Sequence, residues 1–188
     1  MPFNASLIVV ASTRYEIGRH DPKRWRAWNE NLKAIASNPR NVIAANNLYD
    51  AQYIRYFTGL DVRVLPNYCG YTGASYSPKR PEILVGPGRG INEQLFQALR
   101  KKGNFRRIRD LYPHFEYSQL VQHPALVLIP YQVSIMSIFE YYRMAIPMFA
   151  PTPSLLATWQ LKYRVLSERT WDLVRKKKPT RGSPLQGV

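Results

Sequence analysis

The sequence predicts an α/β protein built on Rossmann-like parallel sheets, and three observations carry that expectation. Short apolar runs without alternation, SLIVVAS, NVIAAN, EILV and ALVLI, read as strands covered on both faces. Segments with apolar residues at helical spacing separate them, so strand and helix alternate as in crossover-linked parallel sheets. Between two such βα-rich halves lies NYCGYTGASYSPKRP (Asn67 to Pro81), where Gly, Pro, Ser and Tyr dominate and no period survives. That stretch reads as a linker or a long crossing loop and is the best domain boundary in the chain.

The first half reads β-α-β-α-β over residues 1–66. Ser6 to Ser12 is its first strand, expected to be covered on both faces. Asp21 followed by Pro22 starts a helix, because an N-cap acceptor and a proline at the first helical position both suit that end. Trp25, Trp28, Leu32 and Ile35 continue it to about Ser37, and Asn38-Pro39 ends it. Asn41 to Asn46 is the second strand. A helix from Tyr49 to Phe57 follows, with Gly59 as its stop, and Val62 to Leu65 is the third strand.

The second half, residues 82–174, opens on Glu82 to Val85, the turn GPGRG and a helix from Asn92 to about Lys102. The basic, aromatic stretch Asn104 to Glu116 fits either a short helix or an irregular loop. A brief helix, Ser118 to His123, precedes the most apolar strand, Ala125 to Ile129. In the helix Ser134 to Ala145, Ile135, Ile138, Phe139 and Tyr142 form an apolar stripe, opposite Ser134, Ser137 and Tyr141 with Glu140 beside them. Pro147 to Ala150 is a short strand, and Ser154 caps a helix through about Leu166. Glu168 to Arg175 adds a helical turn, and residues 175–188 form a basic tail rich in breakers.

Composition narrows the function classes. The 188 residues are 45% hydrophobic and 13% aromatic, ample for a core. A single cysteine, Cys69, excludes an internal disulfide framework and a cysteine-rich zinc site, and His20, His114 and His123 lack metal-ligand spacing. No metal site is therefore expected. The net charge of +15 attracts polyanions, from nucleic acid to phosphorylated small molecules, and is equally a means to solubility. The longest uncharged apolar run, Pro124 to Phe139, contains Pro130 and Gln132 and is shorter than the roughly 20 residues a membrane span needs. No signal-peptide pattern opens the chain. The expectation is a soluble chain, cytoplasmic by default, or of the Golgi or endoplasmic reticulum if an anchor precedes it in a longer parent.

The candidate site residues cluster at strand carboxyl ends. Gly86-Pro87-Gly88-Arg89-Gly90 stands between a strand and a helix, where backbone N–H groups and Arg89 can hold a phosphate; a tight turn needs no ligand to explain it. Ser134, Ser137 and Glu140 follow the strand that ends at Pro130, and a carboxylate there suits sugar or ribose hydroxyls; a solvated Glu140 paired with Arg143 explains it as well. Arg14, Glu16 and His20 follow the first strand and offer an anion contact and a base, although His20 beside Asp21 also reads as a surface pair.

The tract VIAANNLYDAQYIRYFTGLDVRVLPNYCGY, the linker, and then ILVGPGRG resemble the middle of a GT-B glycosyltransferase. The helix, the strand ending at Pro130, the helix bearing Glu140 and the Ile146-Pro147 strand are similar to that family's donor lobe, from Glu82 to Pro153. The resemblance implies a GT-B-like two-lobe arrangement with a truncated first lobe, and transfer of a sugar from a nucleotide-diphosphate donor to a hydroxyl acceptor without an obligate metal. It puts Gly86, Gly88, Arg89 and Gly90 at the donor diphosphate, Glu140 at its ribose, and Ser134 and Ser137 nearby. Glu16 and His20 then stand on the acceptor side as catalytic candidates, with Arg14 as an anion contact. Gln132 replaces a second glutamate that the family often has, and the lysine that commonly follows the turn is missing. The alternative is a non-catalytic basic module in which the arginines and aromatics of Asn104 to Tyr117 bind nucleic acid. A shortened first lobe also leaves an apolar sheet edge through which copies self-associate.

Overall fold

The computed structural model describes residues 5–11, 21–87, 91–132 and 134–166. The chain divides into two compact units at Asn67/Tyr68. Both are α/β units with wholly parallel sheets.

The first unit has a three-stranded sheet in sequential order: β1 (Ile8–Ala11), β2 (Val42–Ala45) and β3 (Arg63–Val64). Two helices connect them, α1 (Pro22–Ala36) and α2 (Leu48–Thr58). Asp21 caps α1 by accepting from the Lys23 and Arg24 amides, with Pro22 at the first helical position. Asn47 caps α2, and Gly59 ends it in the left-handed region at φ 76°, where a side chain would be strained. Right-handed crossovers between strands in order 1-2-3 place both helices on one face of the sheet. Accordingly Val9, Ala11, Ile43 and Ala45 pack against Trp25, Trp28, Leu32, Tyr53 and Ile54 on that side. The expectation that β1 is covered on both faces is corrected here: Ile8 is 72% exposed and Val10 38%. Among the described residues, three strands wound one way supply helices for one face only.

The second unit contains β4 (Ile83–Pro87), α3 (Glu93–Arg100), β5 (Phe105–Arg107), α4 (Ile108–Leu111), α5 (Tyr117–Leu120), β6 (Leu126–Ile129), α6 (Met136–Arg143), β7 (Met148–Phe149) and α7 (Pro153–Tyr163). Its sheet order is β5-β4-β6-β7. Period-two alternation sends Leu84, Leu126 and Leu128 to one face, with Ile108, Tyr112, Leu120, Tyr141 and Met144. Val85 and Ile129 go to the other, with Leu95, Phe96, Trp159 and Tyr163. Helices thus cover both faces, which is why the two central strands, β4 and β6, carry no polar side chains.

Several sequence expectations shift in detail. The stretch Asn104 to Glu116, left open between helix and loop, contains strand β5 and the short α4. Thr152, not Ser154, caps α7 through its bond from the Leu155 amide, with Pro153 at the first helical position. The helical turn expected over Glu168 to Arg175 and the basic tail lie outside the described residues. The segment from Tyr68 to Pro81 contributes one 3-10 turn, Gly70–Thr72, and runs along the second unit. The Tyr76 amide donates to the Met144 carbonyl, Ser77 to Val121, and Lys79 and Arg80 to Gln122.

Gly86 shows how closely this unit is packed. A Cβ built there would stand 2.5 Å from the Cδ1 of Ile108, which is 2% exposed. Gly86→Ala is expected to cost about 1–3 kcal/mol by overpacking. Ile108→Val removes the clashing methyl, so the double variant should recover most of that loss. A double-mutant cycle by chemical denaturation checks the coupling.

Candidate functional site: a glutamate between two tyrosines

Glu140 lies near the middle of α6, half-buried. Its Oε1 accepts two phenol hydrogen bonds, from Tyr71 at 2.7 Å and from Tyr117 at 2.8 Å. Among the described residues its Oε2 carries none, and Glu140 does not pair with Arg143. Arg143 instead turns to Tyr68, its guanidinium 4.8 Å from the ring centroid and donating to the phenol oxygen at 3.1 Å. Tyr68 and Tyr71 are three apart on the segment before β4, and Glu140 and Arg143 are three apart on α6. The two pairs match rung for rung.

The electrostatics keep both phenols as donors. Tyr71 is pushed above the ordinary tyrosine range by desolvation and by its bond to Glu140, although the residue as a whole is 63% exposed. Tyr117 is pushed up to about 12 by burial and by the same carboxylate. The Sγ of buried Cys69 stands 3.7 Å from the Tyr71 hydroxyl. Neither phenol can act as a base near neutral pH. The cluster is a charge-assisted clamp joining three segments of chain.

The phase of α6 differs from the expected stripe. Tyr141 is 1% exposed and Tyr142 is 79% exposed, so the inward face runs through Ile138, Tyr141 and Met144. Tyr141 thereby joins the core cluster on that face of the sheet, its hydroxyl at ordinary contact distance, 3.8 Å, from a Cβ built at Gly86, where the absent side chain admits Ile108. Burial raises the Tyr141 phenol far above its usual range, and a hydrogen bond with Ser137 partly offsets this. Ser137 therefore faces the Tyr141 phenol. Ser134 is 2% exposed and precedes the helix, which begins at Met136.

The second group of candidates lies at the carboxyl end of β4. Gly86 is within the strand, paired with Leu128 of β6. Gly88, Arg89 and Gly90 lie outside the described residues, as do Arg14, Glu16 and His20. Beyond the turn, Asn92 caps α3 by accepting from the Leu95 amide, and its side-chain amide donates to the Tyr163 carbonyl at 3.0 Å. Arg107, one of the arginines offered to nucleic acid, stands at the carboxyl end of β5. Its guanidinium lies 4.0 Å from the Phe96 ring centroid and donates to Glu93 and to the Ile91 carbonyl. Hydrogen bonds from Gln97 and Arg107 hold the Glu93 carboxyl below its usual range. Arg109 likewise stacks on Phe115 at 4.6 Å. These two arginines of the 104–117 stretch already cover aromatic rings of the same unit.

The Glu140 cluster therefore joins Tyr68, Tyr71, Tyr117 and Arg143, while Ser134 and Ser137 turn toward the core. Among the described residues, no three His, Cys, Asp or Glu side chains come together as a metal-binding group. Nor is any of their helices long and apolar enough to cross a membrane. Compared with protein-family models, curated proteins and solved structures, the chain matches none.

Proposed function

We propose that the second unit binds a nucleotide-diphosphate sugar, as the donor half of a GT-B-like transferase that passes the sugar to a hydroxyl acceptor. The observation that carries this reading is the strand order β5-β4-β6-β7. The chain leaves β4 toward one side for β5, then returns across it to β6, so neighbouring connections diverge between β4 and β6. Ligands of open parallel sheets bind in the crevice that opens at such a point, outside the strand carboxyl ends. Here those ends are Pro87, leading into Gly88-Arg89-Gly90, and Ile129, leading into the loop before α6.

In this reading the glycine turn and Arg89 neutralise the diphosphate as it leaves, with Arg107 one strand away as a further cation that Glu93 now engages. Glu140 offers carboxylate oxygens to ligand hydroxyls. Arg14, Glu16 and His20 serve the acceptor in the same scheme. The expected behaviour is binding of uridine or guanosine diphosphate with a dissociation constant between about 1 μM and 1 mM. Arg89→Ala should weaken it about tenfold or more, the cost of one charge-assisted hydrogen bond. Isothermal titration checks both. Absent binding, or equal affinity in the variant, contradicts the proposal. Steeply salt-dependent binding of oligonucleotides in place of nucleotides would favour the nucleic-acid alternative.

A further inference from the structure

We propose that the segment 68–73 is a latch on the nucleotide site, in which the Tyr71 hydroxyl holds Glu140 until a ligand hydroxyl displaces it. The proposal rests on the reading of Glu140 as a ligand-holding group and adds its regulation.

A carboxylate oxygen has two lone pairs, and two phenols fill those of Oε1. A ligand diol that engages both oxygens at once needs a position on Oε1, so one phenol must leave. Tyr117 opens α5, is half-buried, and packs against the large core cluster of the unit. Tyr71 is the weaker holder. The residue as a whole is 63% exposed, and its 3-10 turn is flanked by left-handed residues, Cys69 at φ 50° and Gly73 at φ 56°. For Cys69 that backbone is unfavourable, so the turn persists through the contacts around it. Those contacts are the Tyr71 bond to Glu140, the Tyr68 contact with Arg143, and the burial of Cys69 and Thr72. The state that binds ligand is thus in competition with the latched state, and removing the competitor raises apparent affinity.

The chain carries its own reporter. Cys69 is the single cysteine, 4% exposed, and lies against the Tyr71 hydroxyl. Displacing Tyr71 uncovers its thiol. The test uses the full chain with uridine diphosphate as the probe and a thiol-specific maleimide as the label. Tyr71→Phe, which keeps the ring and loses the hydroxyl, is expected to bind the nucleotide about five- to tenfold more tightly than the unaltered chain. In the unaltered chain, saturating nucleotide is expected to speed Cys69 labelling several-fold. Binding with equal affinity in Tyr71→Phe, or a labelling rate indifferent to bound nucleotide, overturns the latch and leaves the nucleotide site standing. Absence of binding in both chains overturns both proposals.

Discussion

Replacing His123 by alanine is expected to destabilise the second unit by about 3 kcal/mol, the sum of a cavity and of orphaned polar groups. His123 is fully buried at the base of the sheet, just before β6. Its Nδ1 lies 2.8 Å from the Glu82 carbonyl, which only accepts, so Nδ1 carries the proton. Its Nε2 therefore accepts from the Tyr112 phenol at 2.9 Å. Tyr112 is itself buried, and the Glu82 Oε2 lies 3.8 Å from Nδ1 with no hydrogen bond of its own. One imidazole thus ties the segment before β4 to the residue after α4, and alanine leaves both partners unsatisfied. Tyr112→Phe removes one of these bonds without a cavity and should cost about 1 kcal/mol. Chemical denaturation measures both, and a His123→Ala loss below that of Tyr112→Phe would contradict the assignment.

The second large effect is expected at Glu140, where two substitutions separate two roles. Glu140→Ala deprives Tyr71 and Tyr117 of their acceptor and removes the oxygens offered to a ligand. Nucleotide affinity should fall about tenfold to a hundredfold, or ~1.4–2.8 kcal/mol. Stability should fall by only about 1 kcal/mol, because the Tyr71 side of the cluster is open to water. Glu140→Gln keeps a carbonyl oxygen for the phenols but replaces Oε2 by an N–H donor, which can no longer accept from a ligand hydroxyl and removes the charge. It should unfold close to the unaltered chain while losing nucleotide affinity nearly as far as alanine does. If the glutamine variant binds nucleotide normally, the carboxylate is a structural clamp alone.

Much of the architecture was legible because its signals are local. Asp21-Pro22, the Gly59 stop and the unbroken apolar runs act over a few residues, and each formed the expected end or strand. What failed depended on distant chain. The run IVVA is apolar at every position, so it does not record that only one of its faces meets helices; the strand order of the sheet decides that. The helix MSIFEYYR has aromatic residues on nearly every side, so its own pattern leaves its phase open; packing of Ile138, Tyr141 and Met144 against the core cluster decides it. Strand β5, FRR, is hidden by its charges, since Arg106 is exposed at the sheet edge while Arg107 is absorbed by Phe96 and Glu93. At the candidate site, Glu140 was visible as a lone carboxylate. Its tyrosine partners were not, because one lies 69 residues away along the chain.

Binding of a nucleotide diphosphate at the carboxyl ends of β4 and β6, as proposed above, is tested most directly by hydrogen–deuterium exchange with and without saturating uridine diphosphate. Slowed exchange is expected over residues 86–93 and 130–136, the two connections that leave the diverging strands, with faster exchange over 68–73 as the latch opens. Slowed exchange confined to other parts of the chain, or an exchange pattern unchanged by nucleotide, would contradict it.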